Sequence, residues 1–255
     1  MLDIRNITKV FGGLRALDDV SFSVPAQSVS ALIGPNGAGK TTMMNIISGM
    51  FPPDEGSVSF NQDVISGLAP AAIARRGLSR TFQHLELFGE MTVLENVLVG
   101  RYIKSRSGFV ASGLRLPSVR AEEKENRERS LDILASIGLA EKREERAANL
   151  PLGEQRILEI GRALATEPTL LLLDEPAAGL NIRETRDLGE MIVRLNADRG
   201  ITILLVEHDM DLVMRISTAI TVLNFGQKIA SGKPSDIQRN PDVIAAYLGD
   251  EEPPC

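Results

Sequence analysis

Cysteine is nearly absent: Cys255 alone carries a thiol, which excludes an internal disulfide and a cysteine-based metal cluster and leaves redox chemistry unexpected. There is no tryptophan, and histidine occurs only at His84 and His208, so each histidine is weighed singly. Long apolar runs are missing too. The longest aliphatic stretch, residues 170–173, is strand-sized against the roughly 20 residues needed to span a bilayer, so the chain is not expected to cross a membrane. Its opening segment shows no basic region followed by an apolar core and a small-residue cleavage site, which leads to the expectation of no secretory signal and a cytoplasmic location. Acidic residues outnumber basic ones, 34 to 28, for a net charge of -6, which argues against a nucleic-acid surface while leaving a local basic patch open. Internal repeats and low-complexity segments are absent, and 255 residues suit one α/β unit, with or without a small inserted lobe.

What is present is a run of glycines, a lysine and hydroxyls: Gly34, Pro35, Asn36, Gly37, Ala38, Gly39, Lys40, Thr41, Thr42. This is the G-x-x-x-x-G-K-[ST] arrangement of a phosphate-binding loop. Glycines free the backbone to turn consecutive amides inward on anionic oxygens. Lys40 adds a point charge for the β- and γ-phosphates, Thr41 offers a hydroxyl to Mg²⁺, and Thr42 lies in a helix start whose free N–H groups favour the same anion. The context agrees, because residues 29–33 read as a strand and residues 41–50 as a helix.

Strands are expected at 2–8, 20–24, 29–33 and 57–60, and helices at 71–76 and 93–101. Residues 101–120, with Arg101, Lys104, Arg106, Arg115, Arg120 and no acid, read as an exposed basic connector, solvated or set against anionic headgroups or an acidic partner. A charged helix over 122–137 carries Glu123/Arg127 and Glu125/Arg129 at i,i+4 spacing and is expected to dock only by its last turns. Beyond residue 150 the pattern becomes helix (154–166), strand (170–174), helix (182–198) and strand (201–207), the alternation that builds a parallel sheet with both faces covered. Such a sheet presents ligands at the carboxyl ends of its strands. Asp174 and Glu175 close one strand, the first suited to Mg²⁺ and the second to polarising the water that attacks a γ-phosphorus. His208 closes the next and can reach the same phosphate. Gln83 can contact Mg²⁺ and the attacking water, while His84 reads as a surface residue.

The phosphate loop, Gln83, the stretch Leu150-Pro151-Leu152-Gly153-Glu154-Gln155-Arg156, the pair Asp174-Glu175 and His208, in this order, resemble the nucleotide-binding subunit of an ABC transporter over nearly the whole chain. Segments 11–17, 80–83, 175–181, 207–210 and 240–244 are similar to the branched-chain amino-acid importers. The resemblance implies an α/β fold of the P-loop NTPase (RecA-like) kind: a mostly parallel core sheet, an N-terminal antiparallel β subdomain and an inserted α-helical subdomain. As one ABC ATPase domain spanning 1–255, it places the core and β subdomain at about 1–83 and 156–230, the helical subdomain at about 84–155, and a C-terminal extension at about 231–255. It implies that Phe11 stacks on adenine and that Leu150, Pro151, Leu152, Gly153 and Glu154 cap the ATP of a second ATPase subunit. It further implies ATP and Mg²⁺ as ligands, integral membrane permease subunits as partners at the cytoplasmic face, a solute-binding protein as an indirect partner, and no nucleic acid. An alternative for Phe11 is an ordinary core aromatic.

Against the superfamily pattern Leu-Ser-Gly-Gly-Gln, Pro151 replaces the serine, Leu152 the first glycine and Glu154 the glutamine. Pro151 supplies neither hydroxyl nor N–H, so contact with the partner's ATP is expected to be weakened, carried by Gly153 and by a helix beginning near Glu154. Asn181 stands where an aspartate is usual. Both departures lead to the expectation of unequal ATP sites completed by a different second subunit. Residues Leu85, Leu87, Phe88 and Met91 are expected either to form the permease-docking groove or to pack inside the helical lobe. The rival readings are a soluble ABC ATPase acting on nucleic acid or ribosomes, a kinase, and a nucleotide sensor without turnover.

Overall fold

A computed structural model describes residues 1–104 and 117–248. Its strands are β1 (Leu2–Phe11), β2 (Leu14–Val24), β3 (Val29–Ile33), β4 (Glu55–Phe60), β5 (Asp63–Val64), β6 (Leu78–Arg80), β7 (Leu170–Asp174), β8 (Thr202–Val206), β9 (Ala219–Asn224) and β10 (Gln227–Gly232). Its α-helices are α1 (Lys40–Ile47), α2 (Pro70–Arg75), α3 (Val93–Arg101), α4 (Pro117–Ser136), α5 (Leu152–Leu164), α6 (Ile182–Arg199), α7 (Met210–Ile216), α8 (Pro234–Ile237) and α9 (Pro241–Leu248).

Two sheets organise them. The first is antiparallel, in the order β2-β1-β4-β5, and the second runs β10-β9-β3-β8-β7-β6. In the second, β9, β3, β8, β7 and β6 are mutually parallel, and only β10 runs antiparallel, beside β9. β1 and β2 are longer than expected, since Gly12 and Gly13 both take positive φ and close a two-residue hairpin between Phe11 and Leu14. β5, β9 and β10 were not anticipated, and β6 is the short strand expected just ahead of Gln83.

The all-apolar strands are buried on both faces because the parallel sheet divides two cores. Leu170, Leu172, Leu32, Leu204 and Val206 face one core, shared with α1 and the antiparallel sheet. Leu171, Leu173, Ala31, Ile33, Ile203 and Leu205 face the other, shared with α3, α4, α5, α6 and α7. Alternation along each strand thus fixes which helices lie on which side.

Several expectations need correction. Arg101 is no part of an exposed connector: it ends α3, is buried, and donates to Glu167, the Ala165 carbonyl and Asn126. Of the remainder of that connector, Tyr102–Lys104 form a short 3-10 turn and 117–120 open α4, while 105–116 lie outside the described residues, as do residues 249–255. The charged helix α4 begins at Pro117 and docks near its start as well, since Val119 is buried along with Leu134 and Ile137. Of its expected pairs Glu125/Arg129 forms at 2.8 Å, whereas Arg127 reaches Glu144 at 3.7 Å. α5 starts two residues earlier than expected, at Leu152, with Pro151 as its N-cap, a position proline tolerates because no helical N–H is required of it.

Candidate active site

The register across the parallel sheet sets the site. Leu32 of β3 and Asp174 of β7 both pair with Val206 of β8, and Arg80 of β6 pairs with Leu172, two residues before Asp174. The segments leaving β3, β8, β7 and β6 therefore emerge side by side at one carboxyl edge: the glycine loop, Glu207-His208, Glu175 and the stretch holding Gln83.

In the loop, Gly39 adopts φ 100° and a β-carbon there would press on the Ala16 carbonyl and Leu17 at 2.7 Å, so glycine is required. Lys40 is buried, and its Nζ donates to the Gly34 and Pro35 carbonyls at 2.7 and 2.8 Å. Burial pushes its pKa down, opposed by the charges of Glu175 and Asp174. α1 has Gly39 as N-cap, no side-chain cap and no acid in its first turn, which leaves its first N–H groups to an anion. Phe11 is 44% exposed, which removes the core-aromatic alternative. Its ring packs edge-on against Phe51 at 5.4 Å, with Lys9 over both.

Beyond the loop, Glu175 is the hub. Gln83 Nε2 donates to its Oε2 at 2.8 Å, and His208 Nε2 lies 2.8 Å from its Oε1. Glu175 itself sits at φ 48°, sparsely populated for a residue with a β-carbon, and is held there by its N–H donating to the Val206 carbonyl at 2.8 Å. Glu207 braces the same turns from beneath, accepting from the Ala177, His208 and Asp209 amides at 2.7, 3.0 and 3.4 Å, with its pKa raised by burial. Thr41, Gln83 and Asp174 line one cavity of about 530 Å³ together with Asn45, Arg80 and His84. An all-oxygen donor set of hydroxyl, amide carbonyl and carboxylate fits a hard cation such as Mg²⁺, which draws its other ligands from water and phosphate.

The stretch 150–154 is split. Leu150 and Gly153 are buried, because the Leu150 side chain joins the core and Gly153 packs against Glu184. Glu154 is tied to Lys142 at 2.6 Å, so only Pro151 and Leu152 face outward. Asn181 caps α6, accepting from the Arg183 and Glu184 amides at 3.0 and 3.1 Å, while Glu184 accepts from the Asn181 N–H. Asparagine caps as well as aspartate, so a local role accounts for that departure. Of the four groove residues Leu87 packs against the core, while Phe88 and Met91 are exposed.

Comparison with known proteins agrees with this geometry. A family model described as "ABC transporter" matches residues 17–178. The chain belongs to the ABC transporter ATPase family. A second model, "Branched-chain amino acid ATP-binding cassette transporter", matches residues 227–253 of the cassette. The cassette is 46% identical to the high-affinity branched-chain amino acid transport ATP-binding protein LivG of Escherichia coli (strain K12), over 98% of both chains. It is 44% identical to BraF of Pseudomonas aeruginosa, described in the same words, again over 98% of both. A solved ADP conformation of an ABC transporter cassette superposes with TM-score 0.86 at 36% identity, covering 98% of this chain and 99% of that one. A dimeric bacterial cassette matches with TM-score 0.76 at 27% identity, covering 92% and 99%.

Sequence reasoning had not found Arg80, Glu207 or Tyr247. Arg80 Nη2 donates to Asp174 Oδ2 at 2.7 Å, and the Tyr247 phenol on α9 lies against the backbone of Gly34, whose N–H counters the upward push of burial on its pKa. Only the acid of Glu207-His208-Asp209 had a signal, its place at a strand end.

Proposed function

We propose that this cassette binds and hydrolyses ATP to power an importer of branched-chain or related amino acids, from the cytoplasmic face of a membrane. Among the described residues no helix is long and apolar enough to cross one, so the permease path belongs to partner subunits. The observation that carries the reading is the Gln83–Glu175–His208 relay, with both contacts at 2.8 Å, at the sheet edge from which the Lys40 loop also rises. The names of the LivG and BraF relatives support the substrate class.

Residues 34–42 cradle the phosphates, and Lys40 turns from the Gly34 and Pro35 carbonyls to the β- and γ-oxygens. Thr41, Gln83 and Asp174 are the residues that would hold Mg²⁺, which when bound spreads the charge of the phosphate oxygens. Glu175 accepts the proton of the attacking water, worth ~10²–10⁴-fold as a positioned base. His208 and Gln83 fix its carboxylate plane by one hydrogen bond to each oxygen. A second cassette sets the start of its α5 against the γ-phosphate, and the 84–155 segment hands the motion to the permease along a cavity of about 500 Å³ lined by Phe82, Phe88 and Ile73.

The test is reconstitution of the cassette with the permease subunits that co-purify with it. ATP turnover should accompany uptake of leucine, isoleucine or valine, and Glu175→Gln should lower turnover at least ~10²-fold with ATP affinity retained. Wild-type turnover in that variant would refute the base assignment. Absence of turnover in the wild type would favour the sensor, and uptake of amides or urea alone would overturn the substrate class.

A further inference from the structure

Arg80 is a buried cation placed on the very carboxylate that the cation site needs. Its side chain and that of Asp174 are 5% and 4% exposed, and their charged groups meet at 2.7 Å. The other guanidinium arm donates to Asn45 of α1 and to Ser48, the C-cap of that helix, at 2.7 and 2.9 Å. The Arg80 Nε is buried with no hydrogen-bond partner, and the guanidinium carbon lies 5.2 Å from the Phe82 ring centre. Three elements thus converge on one charge: the helix after the phosphate loop, the strand ending in Asp174, and the segment leading to Gln83.

Stability alone is a poor reason for such a pair, since desolvating two charges offsets most of their attraction, and a packed apolar pair serves as well. Position gives a better one. Arg80, Thr41, Gln83 and Asp174 line the same cavity, so a divalent ion arriving at Asp174 meets a fixed positive charge that already neutralises its ligand. A triphosphate brings enough negative charge to reverse that balance.

We propose that Arg80 is a positioning residue that stands in for the metal. In the nucleotide-free cassette it holds Asp174 and keeps divalent cations out, so that metal and nucleotide enter as one unit. This rests on the reading of Asp174 as a metal-site residue. Removing the charge at position 80 unmasks the carboxylate, and the empty cassette then takes up metal on its own.

The experiment is Mn²⁺ binding to the full chain, followed by the paramagnetic signal of the free ion, with and without a non-hydrolysable ATP analogue. The wild type should bind Mn²⁺ weakly alone and tightly with the analogue. Arg80→Met should bind Mn²⁺ alone at least tenfold tighter than the wild type, and the double variant Arg80→Met/Asp174→Asn should lose that gain. Arg80→Gln, which keeps donors for Asn45 and Ser48, is the second probe should the methionine variant not fold, and the same gain is expected. A folded, analogue-binding Arg80 variant with unchanged or weaker affinity for Mn²⁺ alone overturns the proposal while leaving the metal site standing. A wild type that takes up no Mn²⁺ even with the analogue removes the metal site itself, and the inference with it. General damage to the fold would weaken metal binding, so a gain separates the two roles.

Discussion

On the proposed reading, Lys40 is a residue whose chemistry changes when phosphate arrives. In the empty loop its ammonium is buried against two carbonyls and burial lowers its pKa below the ordinary lysine value of 10.5, with Glu175 and Asp174 pulling the other way. A triphosphate placed against it stabilises the charged form and raises that pKa again. Proton linkage then has a fixed sign: between the lowered value of the empty protein and the raised value of the complex, binding takes up a proton and affinity falls as pH rises. Calorimetry of ATP binding in two buffers of different ionisation enthalpy, at alkaline pH where the triphosphate is fully ionised, should report net uptake. Release, or no exchange anywhere on the alkaline limb, would contradict the placement of Lys40 on the phosphates. Lys40→Ala should abolish both the uptake and most of the affinity.

Among the elements, α5 and α6 show how helix ends and faces carry position. The Asn181 cap satisfies two amides of α6, and its loss in Asn181→Ala should cost about 1 kcal/mol, whereas Asn181→Asp should change stability by only a few tenths; denaturant unfolding measures both. An Asp variant as damaged as the Ala variant would refute the capping role. On α5, three side chains at successive turns hold the segment that contains Gln83: Arg156 donates to the Gln83 carbonyl at 2.9 Å, Arg162 donates to the Glu86 carbonyl, and Glu159 lies between them. Burial raises the Glu159 pKa, against the pull of Arg156, Arg162 and the Phe82 and Glu86 amides. The folded protein therefore binds more protons than the unfolded chain above pH ~4.5, and this group subtracts stability as pH rises through its folded pKa. The stability difference between Glu159→Gln and wild type should shift in favour of the variant across that window; a flat difference would show that Glu159 titrates normally. Legibility followed length and spacing. β3, β7 and β8 were readable because both faces are apolar, and Lys40, Glu175 and His208 because a motif or a strand end marks them. β6, expected ahead of Gln83 without bounds, is three residues long, too short for a period to show its ends. β9 had its signal in Ile220–Leu223, followed by the Gly226 turn, and was overlooked. Arg80 and Tyr247 could not be read, because each acts through partners distant in sequence that only the fold brings together, while Glu207 showed no more than its place at a strand end.

At the scale of the whole molecule, one sheet edge gathers the groups proposed to face the γ-phosphate, Lys40, Gln83, Glu175 and His208, and it leaves that edge open. His208 remains 44% exposed in its side chain while bonded to Glu175, and the outward part of the 150–154 stretch is reduced to Pro151 and Leu152, the latter 42% exposed. α5 begins there with no side-chain cap, so no side chain of this helix's own cap competes with an anion for its first amides. On the proposed reading a γ-phosphate held by a second cassette would satisfy them, and the same contact would cover the exposed edge. ATP would then be part of the interface, and hydrolysis would remove the piece that bridges it. Blocking the chemistry should trap the closed state: Glu175→Gln with ATP should sediment as a dimer in a concentration-dependent way, and with ADP as a monomer. Because Pro151 offers no N–H and Glu154 is held by Lys142 at 2.6 Å, the contact is thinner than a serine and two glycines would make it, so a self-dimer should be weaker than one formed with a co-purified second cassette. Equal affinity for itself and for that partner would show the two ATP sites to be alike. A variant that stays monomeric with ATP in both settings would refute the sandwich and return the open edge to a different partner.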